Sequence, residues 1–355
     1  MTNQARHDEV ILGVDTHLDI HVGAVISSAG KLLGTRTVSV TIQGYNDLYE
    51  WASAFGPLKR AGVEGTGTYG AGLFHLLDSK QIQVLEVNRP DRSTRRLKGK
   101  SDPIDAENAA RSVLSGISTA IPKNKNGVCE AIRMVSVVRR SAVKAKTQAM
   151  NQIRALLVSA PQSIRERLLK TKPHECATGC SKIKKLGDSD LLLSLTITLK
   201  FLSKRWITLS NELKALDKQL DKLTQTHCPK LRSRMGVGPY TAGILVSVAG
   251  DNPERLKSES ALAALCGVNP LPASSGKTIR HRLNRGGNRA ANNALWTITL
   301  VRARSDSRTR EYVARRTAEG LTTKEIFRCL KRYIIRELYP LIMSDLKSIL
   351  PINLT

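Results

Sequence analysis

Ten large apolar residues recur between positions 192 and 223 in unbroken alternating steps of three and four. They are Leu192, Leu195, Leu199, Leu202, Trp206, Leu209, Leu213, Leu216, Leu220 and Leu223. A 3.5-residue repeat of this length requires one long helix with an apolar stripe, which we call the heptad seam. We predict that a second copy of the chain packs on this seam as a coiled coil, giving a homo-oligomer, either a dimer or a tetramer. The alternative is packing against another helix of the same chain.

A strongly basic stretch precedes the heptad seam. The chain has 355 residues and a formal net charge of +26, and the region from about 126 to 225 is predicted to be helical throughout. Its first helix carries a row of cations: Arg133, Arg139, Arg140, Lys144, Lys146 and Arg154. In a chain of this charge, contact with nucleic-acid phosphates is favoured over a merely solvated face. We expect Arg139, Arg140 and Lys144 to bind nucleic acid.

The amino-terminal third has a different pattern, in which strands and helices alternate. Strands are predicted at 10–15, 20–27, 31–40, 62–65 and 82–87, and helices at 42–55 and 71–79. Three strands, helix, strand, helix, strand is the order of a ribonuclease-H-like α/β domain. The fold class predicted for the whole chain is therefore α/β followed by an all-α part.

Four carboxylates stand at the ends of these elements. Asp15 and Glu64 each end a predicted strand, so their side chains are expected at one edge of the sheet. Asp102 and Asp105 are three residues apart, which places both on one face of a helix whose first turn accommodates Pro103. Carboxylates from separate elements suit Mg²⁺, with Mn²⁺ as the alternative, and a metal pair that promotes phosphoryl transfer.

Basic and glycine-rich segments flank the acids and recur in the last third of the chain. A basic run from 89 to 100 precedes the acid pair, and we expect Arg95, Arg96, Lys98 and Lys100 to contact nucleic acid. Gly236 and Gly238 resemble the turn of a helix-hairpin-helix module, which offers backbone N–H groups to a phosphate. An ordinary helix-turn-helix corner is the alternative. Further phosphate contacts are expected at Lys277, Arg285 and Arg289.

Composition excludes several classes of protein. Aromatic residues make up 4% of the chain, which argues against a single-strand binder built mainly on stacked rings. Six scattered cysteines suit reduced thiols better than disulfides. A zinc site is the alternative for His174, Cys176, Cys180, His227 and Cys228, but paired Cys-x-x-Cys knuckles and a regular His spacing are missing. No stretch is apolar enough for a signal sequence or a membrane span. We therefore expect a cytoplasmic protein with no membrane association.

Seven segments together resemble one known family, the DEDD transposases of the IS-one-ten group of insertion sequences. These are relatives of the Piv invertases, and some members are called bridge recombinases. The segments are Gly13-Val14-Asp15-Thr16-His17, the stretch from Val63 to Gly70, the stretch from Lys98 to Ala106, Gly236-Val237-Gly238-Pro239, the stretch from Ala264 to Pro270, Ser274-Ser275-Gly276-Lys277 and Gly286-Gly287-Asn288-Arg289. They cover nearly the whole chain in the order that the family has.

The resemblance implies three domains. These are a RuvC-like DEDD catalytic domain at 1–125, a basic helix and coiled-coil dimerisation segment at 126–226, and a C-terminal transposase domain at 227–355 that supplies a nucleophilic serine. It also implies that Asp15, Glu64, Asp102 and Asp105 bind Mg²⁺ and that the serine of another subunit completes the site. Some members of the family bind a noncoding guide RNA that pairs with target and donor DNA.

The serine segment departs from the family pattern. Many members have Arg-Asp-Ser-Gly, whereas this chain has Ala273-Ser274-Ser275-Gly276. Alignment on the glycine makes Ser275 the nucleophile and leaves Ser274 in the position of the acid. A polar turn with two interchangeable serines is the alternative.

The sequence thus predicts a DNA transposase or site-specific recombinase that cuts and rejoins DNA and is guided by a noncoding RNA. A RuvC-like structure-specific endonuclease that uses water would leave Ser275 without a role. A nucleic-acid-binding regulator without catalysis is the third hypothesis, and it gives no reason to keep four acids in a positively charged chain.

Overall fold

The computed structural model describes residues 9–87, 101–276 and 281–348. The chain divides into two compact units, residues 1–124 and 125–355, and each unit has a buried core of its own. The predicted domain boundaries at 125/126 and 226/227 stay predictions. Arg95, Arg96, Lys98, Lys100 and Lys277 lie outside the described residues.

A five-stranded sheet forms the centre of the first unit. Its strands are β1 (Val10–Thr16), β2 (Ile20–Ser27), β3 (Leu32–Ser39), β4 (Leu58–Glu64) and β5 (Gln83–Val87), in the spatial order β3-β2-β1-β4-β5. The first three strands are antiparallel neighbours, whereas β4 is parallel to both β1 and β5. This mixed sheet fits the predicted ribonuclease-H-like class, which itself remains a prediction.

Three described helices cover the sheet: α1 (Ile42–Ser53), α2 (Ala71–Ser79) and α3 (Asp102–Leu114). Val10, Leu12 and Val14 of β1 share a buried cluster with residues of α1 and α2. Because side chains alternate along a strand, the intervening Ile11, Gly13 and Asp15 face the opposite side, where Ile11 packs with Ala110 of α3.

Strand β4 is longer than the predicted segment 62–65 and begins at Leu58. The sequence obscures its start because Lys59 and Arg60 are charged. Arg60 is accommodated in the strand since its Nε donates to Glu9 Oε1 at 2.9 Å. A tertiary ion pair therefore permits a strand that the residue pattern alone does not indicate.

The second unit is mostly helical. Its helices are α4 (Val128–Val158), α5 (Gln162–Leu168), α6 (Pro173–Ser181), α7 (Asp190–His227), α8 (Pro229–Arg232), α9 (Pro239–Ala249), α10 (Glu259–Leu265), α11 (Arg289–Ser305), α12 (Ser307–Ala318) and α13 (Thr323–Lys347). A short antiparallel hairpin, β6 (Leu271–Pro272) with β7 (His281–Arg282), follows α10. Across the described ranges, no helix combines the length and the apolar character needed to cross a bilayer.

The heptad seam lies on α7, which is one continuous helix of 38 residues. Helix α4 runs antiparallel to it, because Arg139 pairs with Asp217 while Lys146 contacts Ser210. One row of the seam, Leu199, Trp206, Leu213 and Leu220, is buried within the chain itself. The other row is half-buried. For the buried row, packing inside one chain accounts for the repeat, and oligomerisation stays a prediction.

Candidate metal and nucleic-acid sites

Asp15 and Glu64 lie level with each other on adjacent parallel strands. Val14 of β1 pairs with Val63 of β4, so the next residue of each strand is an acid. The Thr16 hydroxyl donates to the Glu64 carbonyl oxygen at 2.8 Å and fixes the two strand ends together. Asp15 is buried and Glu64 is half-buried. The two acids therefore lie at the same edge of the sheet.

Two glycines bring α3 close to this edge. A Cβ at Gly13 would collide with the Ala106 carbonyl oxygen, and a Cβ at Gly62 would lie 2.7 Å from the Ala109 carbonyl oxygen. Side chains larger than hydrogen on this face of β1 and β4 would push the helix outward. Because α3 crosses here, its first turn, with Asp102 and Asp105, lies near Asp15.

The N-terminal turn of α3 is a favourable position for acidic side chains. Ser101 is the N-cap residue, and Pro103 occupies the first turn together with Asp102 and Asp105. Carboxylates at a helix N-terminus are stabilised by the positive end of the helix dipole. Asp105 is buried at 4% exposure, whereas the Asp102 side chain is 40% exposed.

His17 joins acids from two elements and was missed in the sequence. Its Nε2 lies 3.2 Å from Asp15 Oδ2 and 3.5 Å from Asp102 Oδ2. Asp15, His17 and Asp102 each offer a ligand atom within 4.8 Å of the others, while Glu64 and Asp105 lie outside that group. Part of the signal was present, because His17 follows Asp15 by two residues directly after β1, and side chains two apart in an extended chain project to the same side.

The pKa of Asp15 is raised by its surroundings. Burial raises the pKa of Asp15 above its usual value, the nearby His17 lowers it, and the carboxylates of Asp102 and Asp105 raise it again. Burial is the largest cause, so the ionised carboxylate of Asp15 is poorly solvated, and the two neighbouring carboxylates disfavour it further. A divalent cation bound by Asp15 would favour the ionised form.

Ser275 lies in the connection between β6 and β7 of the second unit and is exposed. Gly276, which follows it, has φ +54, a left-handed backbone that favours glycine. Ser274 is exposed as well. An exposed hydroxyl is accessible to a large substrate such as DNA.

Arg285 and Arg289 line a cavity of about 510 Å³ together with Trp296. In the wall of this cavity the backbones of Gly267 and Gly287 pack directly against each other. A Cβ at Gly287 would collide with the Gly267 backbone. Asn292 braces the same wall by donating from Nδ2 to the Cys266 and Gly267 carbonyl oxygens. The two arginines thus flank a built concavity, and the exposed indole of Trp296 was not among the predicted contacts.

The predicted basic contacts on α4 divide into two kinds. Arg139 pairs with Asp217, and its guanidinium lies 4.5 Å from the Tyr240 ring, so it has a structural role within the unit. Arg140 is exposed, as is Lys144, which lines a shallow groove of polar side chains. Arg140 and Lys144 are therefore available to a ligand.

Gly236 and Gly238 lie in the turn between α8 and α9. Gly236 has φ +81, and a Cβ there would meet the Ile298 carbonyl oxygen at 3.2 Å, so the turn itself requires glycine. Gly238 is the N-cap residue of α9 and has open space beside it. The first helix of this corner, α8, has only four residues.

The cysteines that a zinc site would have to bring together lie in two different hydrophobic cores. Cys176 and Cys180 belong to the core around α6, whereas Cys228 belongs to the core around α9. Burial raises the pKa of Cys180 and of Cys228 to about 12, so both remain thiols at neutral pH.

Comparison with known proteins links both units to one family. A family model for DEDD transposases of IS110 type, described as transposase, matches residues 12–160. A second model, described as transposase of the IS116/IS110/IS902 family, matches residues 228–314.

One curated relative supports the same assignment. The "Insertion element IS110 uncharacterized 43.6 kDa protein" of Streptomyces coelicolor is 29% identical over 152 residues, which is 42% of this chain. The match spans 37% of the relative's own length. Two family models in the expected order, one over the acids and one over the C-terminal glycine motifs, agree with this relative. The chain belongs to the IS110 (IS-one-ten) family of transposases.

Proposed function

We propose that this protein is a DNA transposase of an insertion sequence that cuts and rejoins DNA by transesterification. The observation that carries the proposal is the meeting of Asp15 and Asp102, from a strand and a helix, at His17. A chain of net charge +26 has no structural need to gather carboxylates, whereas metal-dependent phosphoryl transfer does.

The residues present fit a divalent metal. Asp15 and Asp102 offer oxygen ligands, Glu64 and Asp105 add negative charge from neighbouring positions, and Mg²⁺ prefers such oxygens. Mn²⁺ is the alternative, since it accepts the same ligands. A bound metal would polarise a phosphoryl oxygen and stabilise charge on the leaving oxygen. His17 is a positioning residue that holds the two carboxylates near each other in the metal-free protein.

Ser275 supplies the nucleophile in this proposal. Its Oγ would form a bond to a DNA phosphorus while the bond from that phosphorus to the leaving strand breaks. The hydroxyl proton is released and the leaving oxygen gains one, so the DNA remains linked to the protein as a phosphoserine ester. A later attack by a strand hydroxyl reverses the step and releases the serine. Exposure of Ser275 on the hairpin connection supports this role.

Nucleic-acid binding is assigned to the exposed cations. This assignment is supported by the exposure of Arg140 and Lys144 on α4 and of Arg285 and Arg289 beside the Trp296 cavity. A noncoding guide RNA is part of the proposal because the family resemblance implies one, and the net charge of +26 suits either nucleic acid. RNA that copurifies with the protein and is transcribed beside its gene would test this partner.

The experiment that tests the function is strand exchange on duplex DNA from both flanks of the gene, with Mg²⁺ or with chelator. We expect Asp102→Ala and Asp105→Ala to abolish exchange yet leave binding to DNA and RNA nearly unchanged. Asp188→Ala, at an exposed acid of the second unit, is the control and should be active. Loss of nucleic-acid binding in the first two variants would mean that these acids are structural.

A further inference from the structure

The second unit contains a groove that none of the predicted site residues explains. It has a volume of about 1020 Å³ and lies between α12, α13, the end of α11 and residues 233–235. Five arginines, two tyrosines and three acids are among its lining residues. We call it the arginine-tyrosine groove. We propose that it binds a single-stranded stretch of nucleic acid, with one base stacked on a tyrosine ring.

Two of the three acids of the groove form hydrogen bonds within its walls, and the third, Glu311, is exposed. Glu337 accepts from Arg302 at 2.6 and 3.1 Å, and Arg302 also donates to the Met235 carbonyl oxygen. Asp306 caps α12 by accepting from the Thr309 backbone N–H at 2.9 Å. These bonds join the end of α11 to α13 and to the 233–235 turn, and they cap α12, so the walls of the groove are held together by specific contacts.

The remaining cations face solvent. Arg234 and Arg308 are exposed and form no ion pair with the part of the chain that the structure describes. Arg315 is 67% exposed and its nearest carboxylate oxygen is 3.9 Å away. Arg336 is 63% exposed, 3.8 Å from Glu259. Exposed pairs of this kind contribute little, so the groove presents net positive charge to an anionic chain.

The tyrosines give the groove a second kind of contact. Tyr312 and Tyr333 meet edge to face, with ring centroids 5.9 Å apart and an interplanar angle of 80°. Tyr333 is 54% exposed. The guanidinium groups of Arg315 and Arg336 lie 5.5 and 6.0 Å from the two rings. Tyr312 therefore holds the Tyr333 ring in a fixed orientation with much of its surface available.

This combination selects single strands. A phosphate-binding surface alone would accept a duplex, but in a duplex the bases are stacked on each other and offer no face to a side chain. An unpaired base can stack on Tyr333 while its phosphates contact the arginines. The low aromatic content argued against stacking along the whole chain, and it leaves room for one local pair. The strand can come from an RNA loop or from displaced DNA.

The inference concerns a partner of the proposed recombinase but does not depend on its chemistry. Binding is measured by fluorescence anisotropy in the presence of chelator. The protein is the full chain, purified free of nucleic acid, and the probes are unstructured 12-nucleotide RNA and DNA of one sequence. We expect Tyr333→Ala to weaken single-strand binding at least about fivefold, the lower end of a stacking contact. Tyr333→Phe, which keeps the ring, should bind within about twofold of the wild type. Binding to the duplex of that sequence should be unaffected by either.

A charge-matched pair tests the arginines. Arg308→Ala with Arg315→Ala should weaken single-strand binding and reduce its salt dependence, whereas Arg165→Ala with Arg167→Ala, at exposed arginines of α5, should not. Equal losses with RNA and DNA would assign recognition to base and phosphate, and a loss with RNA alone would assign the ribose hydroxyl as well. Unchanged binding in Tyr333→Ala, or equal loss in both arginine pairs, would overturn the inference. Asp102→Ala lacks strand exchange yet should keep this binding, which separates the two proposals.

Discussion

Asp15 contributes to the candidate metal site and at the same time lowers the folding stability of the metal-free protein. Its carboxylate is buried beside two others, and its pKa is raised by that burial and by Asp102 and Asp105, against the opposing effect of His17. Because the folded pKa lies above the unfolded value, the folded state binds more protons and loses stability as pH rises through the folded pKa. Above that pKa, the ionised Asp15 therefore destabilises the metal-free fold.

Asp15→Asn should consequently raise the melting temperature of the metal-free protein at pH 7, because it removes a charge without changing side-chain size. The gain should shrink as pH falls towards the ordinary range of a carboxyl group. Addition of Mg²⁺ should raise the melting temperature of the wild type more than that of the variant. Asp19→Asn, at a neighbouring exposed acid, is the control and should change neither value. A variant that melts lower than the wild type in chelator would refute this account of Asp15.

Among the elements, α3 is positioned by the glycines beneath it. Gly13 and Gly62 have no Cβ, and the helix presents Ala106, Ala109 and Ala110 to the sheet. Small residues on both sides permit an approach that larger ones prevent. The distance between the strand acids and the helix acids is thereby determined by residues that carry no charge.

Gly13→Ala should therefore destabilise the first unit by about 1 to 3 kcal/mol, the usual cost of overpacking a filled core. Chemical denaturation monitored by circular dichroism would measure it. Gly179→Ala in α6 has no atom nearer than 3.7 Å to its new methyl group and should be neutral or slightly stabilising. Equal effects of the two substitutions would show that α3 does not press on the sheet.

Elements near the acids were predictable because their signals are local. The apolar runs that end at Asp15 and Glu64 indicate strand ends, and Ser101-Asp102-Pro103 indicates the start of α3. His17 required the added step that side chains two apart in an extended chain project to the same side. The structural role of Arg139 was not predictable, since Asp217 and Tyr240 are distant in sequence. The heptad seam likewise indicates that something covers α7 without saying which helix does.

At the scale of the molecule, the surface available to a second copy differs from the buried row of the heptad seam. Leu193, Ile197 and Phe201 follow one another every four residues along α7 and are 37%, 54% and 70% exposed. An apolar stripe at helical spacing suits contact with the same stripe of another chain. We place the proposed homo-oligomer contact on these residues.

Ile197→Lys with Phe201→Lys should yield folded monomers in analytical ultracentrifugation, because both side chains are exposed within one chain. Leu213→Lys is the contrasting variant and should lower the melting temperature sharply, since Leu213 is buried in its own unit. Oligomers of unchanged size in the double variant would place the contact elsewhere.

The central claim is that the acids and Ser275 perform transesterification, and a covalent protein–DNA adduct tests it most directly. Labelled duplex DNA from the flanks of the gene is incubated with the protein and Mg²⁺, denatured, and analysed for label that migrates with protein. The account predicts an adduct for the wild type and for Ser274→Ala, and none for Ser275→Ala or for the wild type in chelator. DNA cleavage that survives Ser275→Ala without an adduct would contradict it and assign the attack to water.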